Sequence, residues 1–228
     1  MVYRNDAEAQ QRHMSAKERL GFHQAESGPV MTDLEQWLRR QCDERLVEPN
    51  SALGEAIPAD RDTASIKRKP KYAKVYLVKK DGRVQSIILP VSGYGLWSTM
   101  YGFIAMEADA QTVVGLNLYD QAETPGLGGE VVNPKWKALW KGKKVYNFTG
   151  KELHESTLTE KGQAVEIGEV ALGLVKGSVD PSKPGSEYQV DALAGATLTS
   201  RGVSNLVQYW MGREGYGIYL AKVRSGRG

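Results

Sequence analysis

Hydrophobic and polar positions alternate from about residue 72 to residue 120, which is the pattern of half-buried strands. The run AKVYLVKKDGRVQSIIL contains two alternating stretches on either side of Asp81-Gly82, a dipeptide typical of tight hairpin turns. The run YGFIAMEADAQTVVGLNLYD predicts a second pair of strands, with a turn near Asp109. A further strand is predicted by VALGLVKG, residues 170–177.

Two helices are predicted among and after these strands. NPKWKALWKGK indicates a short helix, with Asn133 as its N-cap and Pro134 at its first position. SNLVQYWMG indicates a longer one that ends at Gly212, and Thr199 or Ser200 is well placed to cap its start. Its buried face is formed by Val203, Leu206, Val207 and Trp210.

Strand pairs followed by helices predict an α+β domain, with a mostly antiparallel sheet and packed helices, over residues 71–228. In that arrangement Trp136 and Trp210 are core residues. Residues 1–70 differ, because SAKERLGFHQ and TDLEQWLRRQC both have helical spacing, the second with a capping box at Thr32 and Glu35 and with Trp37 on its packing face. The polar, basic segment RDTASIKRKPKY predicts a connector. We therefore expect an N-terminal helical region and linker before the main domain.

Composition narrows the function classes. The formal net charge is only +3 and basic residues are mixed with acidic ones, which argues against a dedicated nucleic-acid binder. Cys42 is the single cysteine, so no disulfide can form within the chain, and the three histidines lack metal-ligand spacing. No run approaches the roughly 20 apolar residues of a membrane span, and the first residues lack the apolar core of a signal peptide.

Two glycine-rich loops are candidates for ligand binding. In PVSGYGLWSTMYG, Gly93 and Gly95 bracket Tyr94 and are followed by Leu96 and Trp97. Glycines permit close approach of a ligand and an aromatic side chain can stack on a flat ring, although a corner between strands gives the same pattern.

The second loop is QAETPGLGGEV, residues 121–131, where Glu123 and Thr124 precede two glycine turns. Its bare N–H groups could hold carbonyl or phosphate oxygens, and an ordinary surface turn is the alternative. The spacing is neither that of a P-loop nor that of a dinucleotide fingerprint.

A third candidate is DALAGATLTSRGV, residues 191–203. Gly195 and Ala196 leave room beside Thr197, about one turn before the predicted helix. A helix N-terminus has free N–H groups and the positive end of the dipole, so it can bind a phosphate. Simple capping accounts for the later hydroxyls but not for Asp191 and the Gly-Ala-Thr run.

DALAGAT resembles the flavinylation motif of the covalent-FMN domain family, in which the last threonine is joined to FMN through a phosphoester. The resemblance makes Asp191 the motif acid and Thr197 the attachment residue, while Ala194 replaces the usual Ser or Thr. The segments LPVSGYGLWSTMYGFIAME, ETPGLGGEVVNPKW, GKK and VDALAGATLTSRGV resemble, in that order, the C subunit of the sodium-translocating NADH:quinone oxidoreductases. The G subunit of the Rnf complex shares ETPGLG and GAT.

The resemblance to the C subunit implies a specific biochemistry. A separate flavin transferase, using FAD and magnesium, would attach the flavin, so no catalytic residues and no independent catalysis are expected from this chain. The FMN would relay electrons from an iron–sulfur centre to the covalent FMN of the B subunit, on the way from NADH to ubiquinone. The implied FMN contacts are Gly93, Tyr94, Gly95, Leu96, Trp97, Glu123, Thr124, Leu127, Gly128, Lys176, Asp191, Gly195, Ala196, Leu198 and Thr199. Lys176 would favour an anionic flavin or neutralise the phosphate.

In that family the C subunit starts with one membrane-spanning helix, so MVYRNDAEAQ is expected to be a juxtamembrane start after a removed anchor, and the domain is expected on the periplasmic side of the inner membrane. Three alternatives stay open from the sequence: an Rnf-type G subunit, an assembly module that is never flavinylated, and an enzyme with dissociable FMN. The last is disfavoured because no residue pair is suited to acid–base work.

Overall fold

The computed structural model describes residues 2–4, 54–70, 72–149, 156–158 and 164–226. The strands in chain order are β1 (Val2–Arg4), β2 (Gly54–Ala56), β3 (Arg68–Pro70), β4 (Tyr72–Lys74), β5 (Tyr76–Lys80), β6 (Arg83–Tyr94), β7 (Thr99–Glu107), β8 (Val113–Asp120), β9 (Tyr146–Asn147), β10 (Ser156–Leu158), β11 (Ala164–Glu166), β12 (Glu169–Val170), β13 (Gly173–Val175) and β14 (Gln189–Asp191). The helices are α1 (Pro134–Ala138), α2 (Thr197–Met211) and α3 (Gly217–Arg224), and short 3₁₀ segments cover Gly128–Val132 and Ser186–Tyr188.

The central element is an antiparallel four-stranded sheet of order β5-β6-β7-β8, which confirms the predicted sheet type and both strand pairs. Asp81 and Gly82 form the β5–β6 turn with φ values of 52° and 75°. Tight hairpin turns require this left-handed conformation at both central residues, and Asp and Gly tolerate it best. The remaining strands form two-stranded pairs: β1 with β4 and β13 with β14 in parallel, and β2–β3, β9–β12 and β10–β11 antiparallel.

Both faces of the sheet bury apolar side chains, which explains why β6 contains the continuous run Ile87, Ile88 and Leu89. Successive side chains of a strand point to opposite faces. Ile87 and Leu89 belong to the main core, which also contains Val203, Leu206 and Val207 of α2. Ile88 belongs to a smaller cluster with Tyr76, Phe103 and Ala105. The four predicted packing residues of α2 are all buried, and the helix ends at Gly212 as predicted.

Helix α1 follows its local sequence signals. The Asn133 side chain accepts a hydrogen bond from Lys135 N at 2.9 Å, and Pro134 occupies the first helical position. Trp136 is buried, and its Nε1–H donates to the carbonyl oxygen of Asp191 at 2.9 Å. Trp210 is buried as well, so both tryptophans are core residues as predicted.

The predicted cap of α2 is wrong. The helix begins at Thr197, its N-cap position is Ala196, and no side chain caps it. Thr199 and Ser200 are instead buried in the first turn and form hydrogen bonds with other segments. A hydroxyl cannot cap a helix from within it, so neither residue is the cap. Because the helix begins at Thr197, this residue lies at the helix start and not one turn before it.

Two further segments differ from the sequence prediction. The expected connector 61–72 includes β3, and Ala64 is 1% exposed, with its carbonyl accepting from Tyr94 N at 2.8 Å. The expected strand at 170–177 is divided into β12 and β13, which pair with β9 and β14. The predicted N-terminal helices, at residues 15–24 and 32–42, lie outside the described residues. Within the described ranges no helix is both long enough and apolar enough to cross a bilayer.

Candidate functional site

Three segments that are distant in the sequence meet at one end of the central sheet. In an antiparallel sheet the end of β6, the start of β7 and the end of β8 lie at the same edge. The β6–β7 loop, residues 95–98, therefore lies beside the segment after β8, and Ala122 N donates to Ser98 Oγ at 2.9 Å. Helix α2 crosses this end of β6 closely, because a Cβ on Gly202 would lie 2.4 Å from the Tyr94 carbonyl oxygen.

Glu123 joins the three segments through its carboxylate. Its Oε1 accepts hydrogen bonds from Leu96 N at 2.9 Å and Trp97 N at 3.0 Å. Its Oε2 accepts one from Thr199 Oγ1 at 2.5 Å. Glu123 is only 4% exposed, so it lies beneath the loops.

The glycines on both sides of Glu123 make space for this carboxylate. A Cβ on Gly95 would lie 2.4 Å from Glu123 Oε1. A Cβ on Gly128 would lie 2.4 Å from Thr199 Oγ1 and 2.8 Å from Glu123 Oε2. The sequence analysis interpreted the glycines as positions of close ligand approach, whereas at these two positions the close neighbour is a protein side chain.

Glu123 is held in its ionised form. Burial by itself raises the pKa of a carboxyl group, since it penalises the charged form. The hydrogen bonds from Thr199 and from the backbone N–H groups of Trp97, Leu96 and Ser98 outweigh burial, so the pKa of Glu123 lies below its ordinary value of 4.5. A buried anion with several hydrogen-bond donors is the arrangement that such charges require in proteins.

The hydroxyl groups of the first turn of α2 have different surroundings. Thr199 donates to Glu123, and Ser200 Oγ accepts from Leu193 N at 3.0 Å, and both residues are buried. Thr197 is exposed at the first helical position, where backbone N–H groups have no partner within the helix. Thr197 is therefore the hydroxyl of this turn that a large group can reach.

Apolar side chains are unusually exposed on the three segments that meet at this end of the sheet. Trp97 is 62% exposed and Leu198, next to Thr197, is 52% exposed. Tyr94 at the end of β6, Leu96 in the β6–β7 loop and Leu127 in the segment after β8 are also exposed. The Trp97 indole is oriented by a hydrogen bond from Nε1–H to Thr124 Oγ1 at 3.1 Å. An apolar surface of this kind commonly marks a binding site.

Asp191 stabilises the approach to the helix. Its Oδ1 accepts from Val179 N at 2.8 Å, and its strand β14 pairs with β13 so that Val175 lies opposite Asp191. Gly195 follows with φ of +70°, which directs the chain into α2.

Lys176 is exposed at the end of β13, and no hydrogen bond or ion pair within the described ranges joins it to the three segments. Its role near a phosphate stays a prediction.

The sequence analysis did not identify two residues that shape this site. Ser98 links the β6–β7 loop to the segment after β8, and Gly202 allows α2 to approach Tyr94. A glycine in the interior of an amphipathic helix is a usable signal, because it weakens the helix and so suggests a close contact. Ser98 has no comparable local signal.

Comparisons with known proteins identify the family. The FMN-binding domain family matches residues 95–212, a range that holds all three segments. The crystal structure of Shewanella oneidensis NqrC has a TM-score of 0.65 and 34% sequence identity, over 81% of this chain and 75% of that one. This chain belongs to the NqrC family. The sequence resembled two kinds of subunit. The comparisons confirm the resemblance to the C subunit of the sodium-translocating reductases.

Named relatives in the NqrC family show the same relationship. The C subunit of the Na(+)-translocating NADH-quinone reductase from Pseudomonas aeruginosa is 50% identical over 175 residues, which are 77% of this chain and 60% of that protein. The protein of the same name from Vibrio alginolyticus is 44% identical over 184 residues, 81% of this chain and 64% of the relative. This chain thus spans less than two thirds of the length of either relative.

Proposed function

We propose that this chain is an electron-transfer flavoprotein subunit of a Na(+)-translocating NADH:quinone reductase, with FMN joined to Thr197 through a phosphoester. The observation that carries the proposal is the position of Thr197. It is the exposed hydroxyl of the first turn of α2, whereas Thr199 and Ser200 are buried and hydrogen-bonded.

The surroundings of Thr197 fit FMN in both of its parts. FMN has a flat, largely apolar ring system, and exposed apolar side chains lie on all three segments that meet at this end of the sheet. Leu96, Trp97, Leu127 and Leu198 would cover part of the ring and exclude water from it. The phosphate would meet the N–H groups at the start of α2 and the positive end of its dipole.

FMN would supply one-electron transfer between an iron–sulfur centre and the covalent FMN of the B subunit, between NADH and ubiquinone in the overall reaction. This chain would hold the flavin in place and adjust its potential through hydrogen bonds and nearby charge. Glu123 contributes a buried negative charge beneath the loops, and Lys176 is the candidate positive charge, since it follows Val175, which pairs with Asp191.

Attachment would need a second protein. A flavin transferase would use FAD and magnesium, forming the bond from Thr197 Oγ1 to the FMN phosphorus and breaking the bond to AMP, which leaves with the hydroxyl proton. The chain itself then needs no activating base beside Thr197. We further propose that the domain lies on the periplasmic side of the inner membrane, next to the other subunits of the complex.

Mass spectrometry of the intact protein after co-expression with a flavin transferase tests this function. We expect a gain of one FMN less one water, located by peptide mapping on the peptide that contains Thr197. Thr197→Val should abolish the gain, and the exposed position predicts that the free energy of unfolding changes by less than about 0.5 kcal/mol.

Thr63→Val is the matched control, since Thr63 is also exposed but lies in another part of the fold. It should gain the full mass. If well-folded wild-type protein gains no mass with an active transferase, the proposal is wrong and a role as a non-flavinylated assembly module is favoured.

A further inference from the structure

We propose that Glu123 is a positioning residue, whose carboxylate fixes the 95–98 loop against the first turn of α2. It would thereby determine where Thr197 stands relative to Leu96 and Trp97. The inference rests on the proposed function, since it assigns Thr197 as the attachment residue. It concerns the protein's own geometry, so part of it can be tested without flavin.

Glu123 is suited to this role because its oxygens face protein donors. An ionised carboxylate offers about four acceptor sites. Leu96 N and Trp97 N use Oε1, and Thr199 Oγ1 uses Oε2. With a 4% exposed side chain, the carboxylate acts on a bound flavin through the segments that it joins and not by direct contact.

The hydrogen bonds of Glu123 reach the 95–98 loop and the first turn of α2, the two segments whose positions affect attachment in this proposal. Leu96 and Trp97 are bound through their backbone N–H groups, so the loop is fixed while the side chains stay exposed. Thr199 is two residues after Thr197, so the bond to Thr199 fixes the turn that presents Thr197 Oγ1. An error of about 1 Å in the position of a reacting group can cost on the order of a hundredfold in rate.

The contacts of Glu123 use both the charge and the length of its side chain. A glutamine has one acceptor oxygen and an NH₂ group, so with its oxygen on Leu96 N and Trp97 N it would have to donate to Thr199 Oγ1 instead of accepting from it. An aspartate is one methylene shorter, and the space beside Gly95 and Gly128 is filled by the ends of the longer side chain. Charged acceptors form hydrogen bonds roughly twice as strong as neutral ones, so the loss of charge weakens all of these bonds.

The test compares Glu123→Gln and Thr199→Val with two matched controls in the full chain. Glu130→Gln changes another carboxylate seven residues along, whose Oε2 accepts from Asn133 Nδ2 at 2.6 Å. Ile88→Val lowers stability from the opposite face of the sheet, within the smaller cluster. The measurements are the initial rate of flavin attachment, the amide hydrogen exchange of Leu96 and Trp97, and the free energy of unfolding in urea.

We expect Glu123→Gln to lower the attachment rate at least tenfold and to speed exchange at both amides. Thr199→Val should also lower the rate, and Thr199→Ser should restore most of it. The double variant should be no slower than Glu123→Gln, because the hydrogen bond that Thr199→Val removes is one of those that Glu123→Gln already weakens. Glu130→Gln should stay within twofold of the wild type. Ile88→Val should attach flavin at close to the wild-type rate despite its lower stability.

Attachment by Glu123→Gln at the wild-type rate would overturn the proposal. So would a rate that falls equally in Ile88→Val, because stability alone would then explain the loss. If the wild type takes up no flavin at all, the proposed function fails, and amide exchange decides the positioning role: unchanged exchange of Leu96 and Trp97 in Glu123→Gln would overturn it.

Discussion

Gly202 in the middle of α2 provides a sharp test of how the helix is placed against the glycine corner. Gly202→Ala adds one methyl group to a helix interior, where alanine is favoured over glycine by about 1 kcal/mol. The added Cβ would lie 2.4 Å from the Tyr94 carbonyl oxygen and 3.0 Å from Gly95 Cα. These two effects have opposite signs, so their sizes decide the outcome.

The steric effect should be larger. Overpacking a well-packed site costs about 1–3 kcal/mol, and the cost lies at the upper end where the neighbour cannot change rotamer. Here both close neighbours are backbone atoms, so the helix itself has to move. With about 3 kcal/mol lost and about 1 kcal/mol gained, we expect Gly202→Ala to lower the free energy of unfolding by about 2 kcal/mol.

Urea unfolding of the variant and of Gly115→Ala measures this difference. A Cβ on Gly115 would meet no atom within 4 Å, so that substitution should be neutral or stabilising by about 0.5–1 kcal/mol. Because the helix has to shift at Tyr94, Gly202→Ala should also slow flavin attachment. A Gly202→Ala protein as stable as the wild type, or more stable, would refute the close approach of α2 to Tyr94.

Two further predictions concern charge and hydrogen bonding. The pKa of Glu123 is lowered on folding, and so is that of Asp109, where burial is outweighed by bonds from Thr112 and Gln111. Each lowered pKa stabilises the fold fully above the unfolded-state value, near 4.5 for Glu123 and 3.8 for Asp109, and this stabilisation is lost as the pH falls through the lower folded-state pKa. Glu123→Gln lacks one of these two groups, so its free energy of unfolding should fall less than that of the wild type between pH 7 and pH 3. Equal falls in the two proteins would contradict this. In urea unfolding, Trp210→Phe should cost about 1–3 kcal/mol more than Trp140→Phe. The first substitution removes the 2.6 Å hydrogen bond from Trp210 Nε1 to the buried Ser92 carbonyl, whereas Trp140 Nε1 is buried and has no hydrogen-bond partner among the described residues. Equal costs would contradict this.

Much of the fold could be read from short-range signals. The alternation of polar and apolar residues located the four central strands, and Asp81-Gly82 located the turn between β5 and β6. Asn133 and Pro134 located the start of α1. In each case the deciding interaction lies within a few residues, so the local sequence is sufficient. The resemblance to the FMN-binding domain family was recognised from short motifs too, and the family match over residues 95–212 confirms it.

The interior of the site could not be read in this way. Glu123 and Thr199 are 76 positions apart, and neither residue carries a local sign that the two are bonded. Thr199 and Ser200 were expected to cap α2, but the buried carboxylate and the Leu193 N–H use them instead, so the helix starts at Thr197. Competition between a local and a distant hydrogen-bond partner is decided only when the chain is packed.

The sequence by itself determined the sheet, its tight turn, the short helix and the motif that contains Thr197, because those features depend on near neighbours along the chain. Tertiary structure alone decided that Glu123 lies beneath the loops, that Gly95 and Gly128 make space for it, and that Thr197 is the exposed hydroxyl of its turn. The physical reason is burial: a charge removed from water has to find its donors wherever the fold brings them, and here these come from segments that only the folded chain brings together.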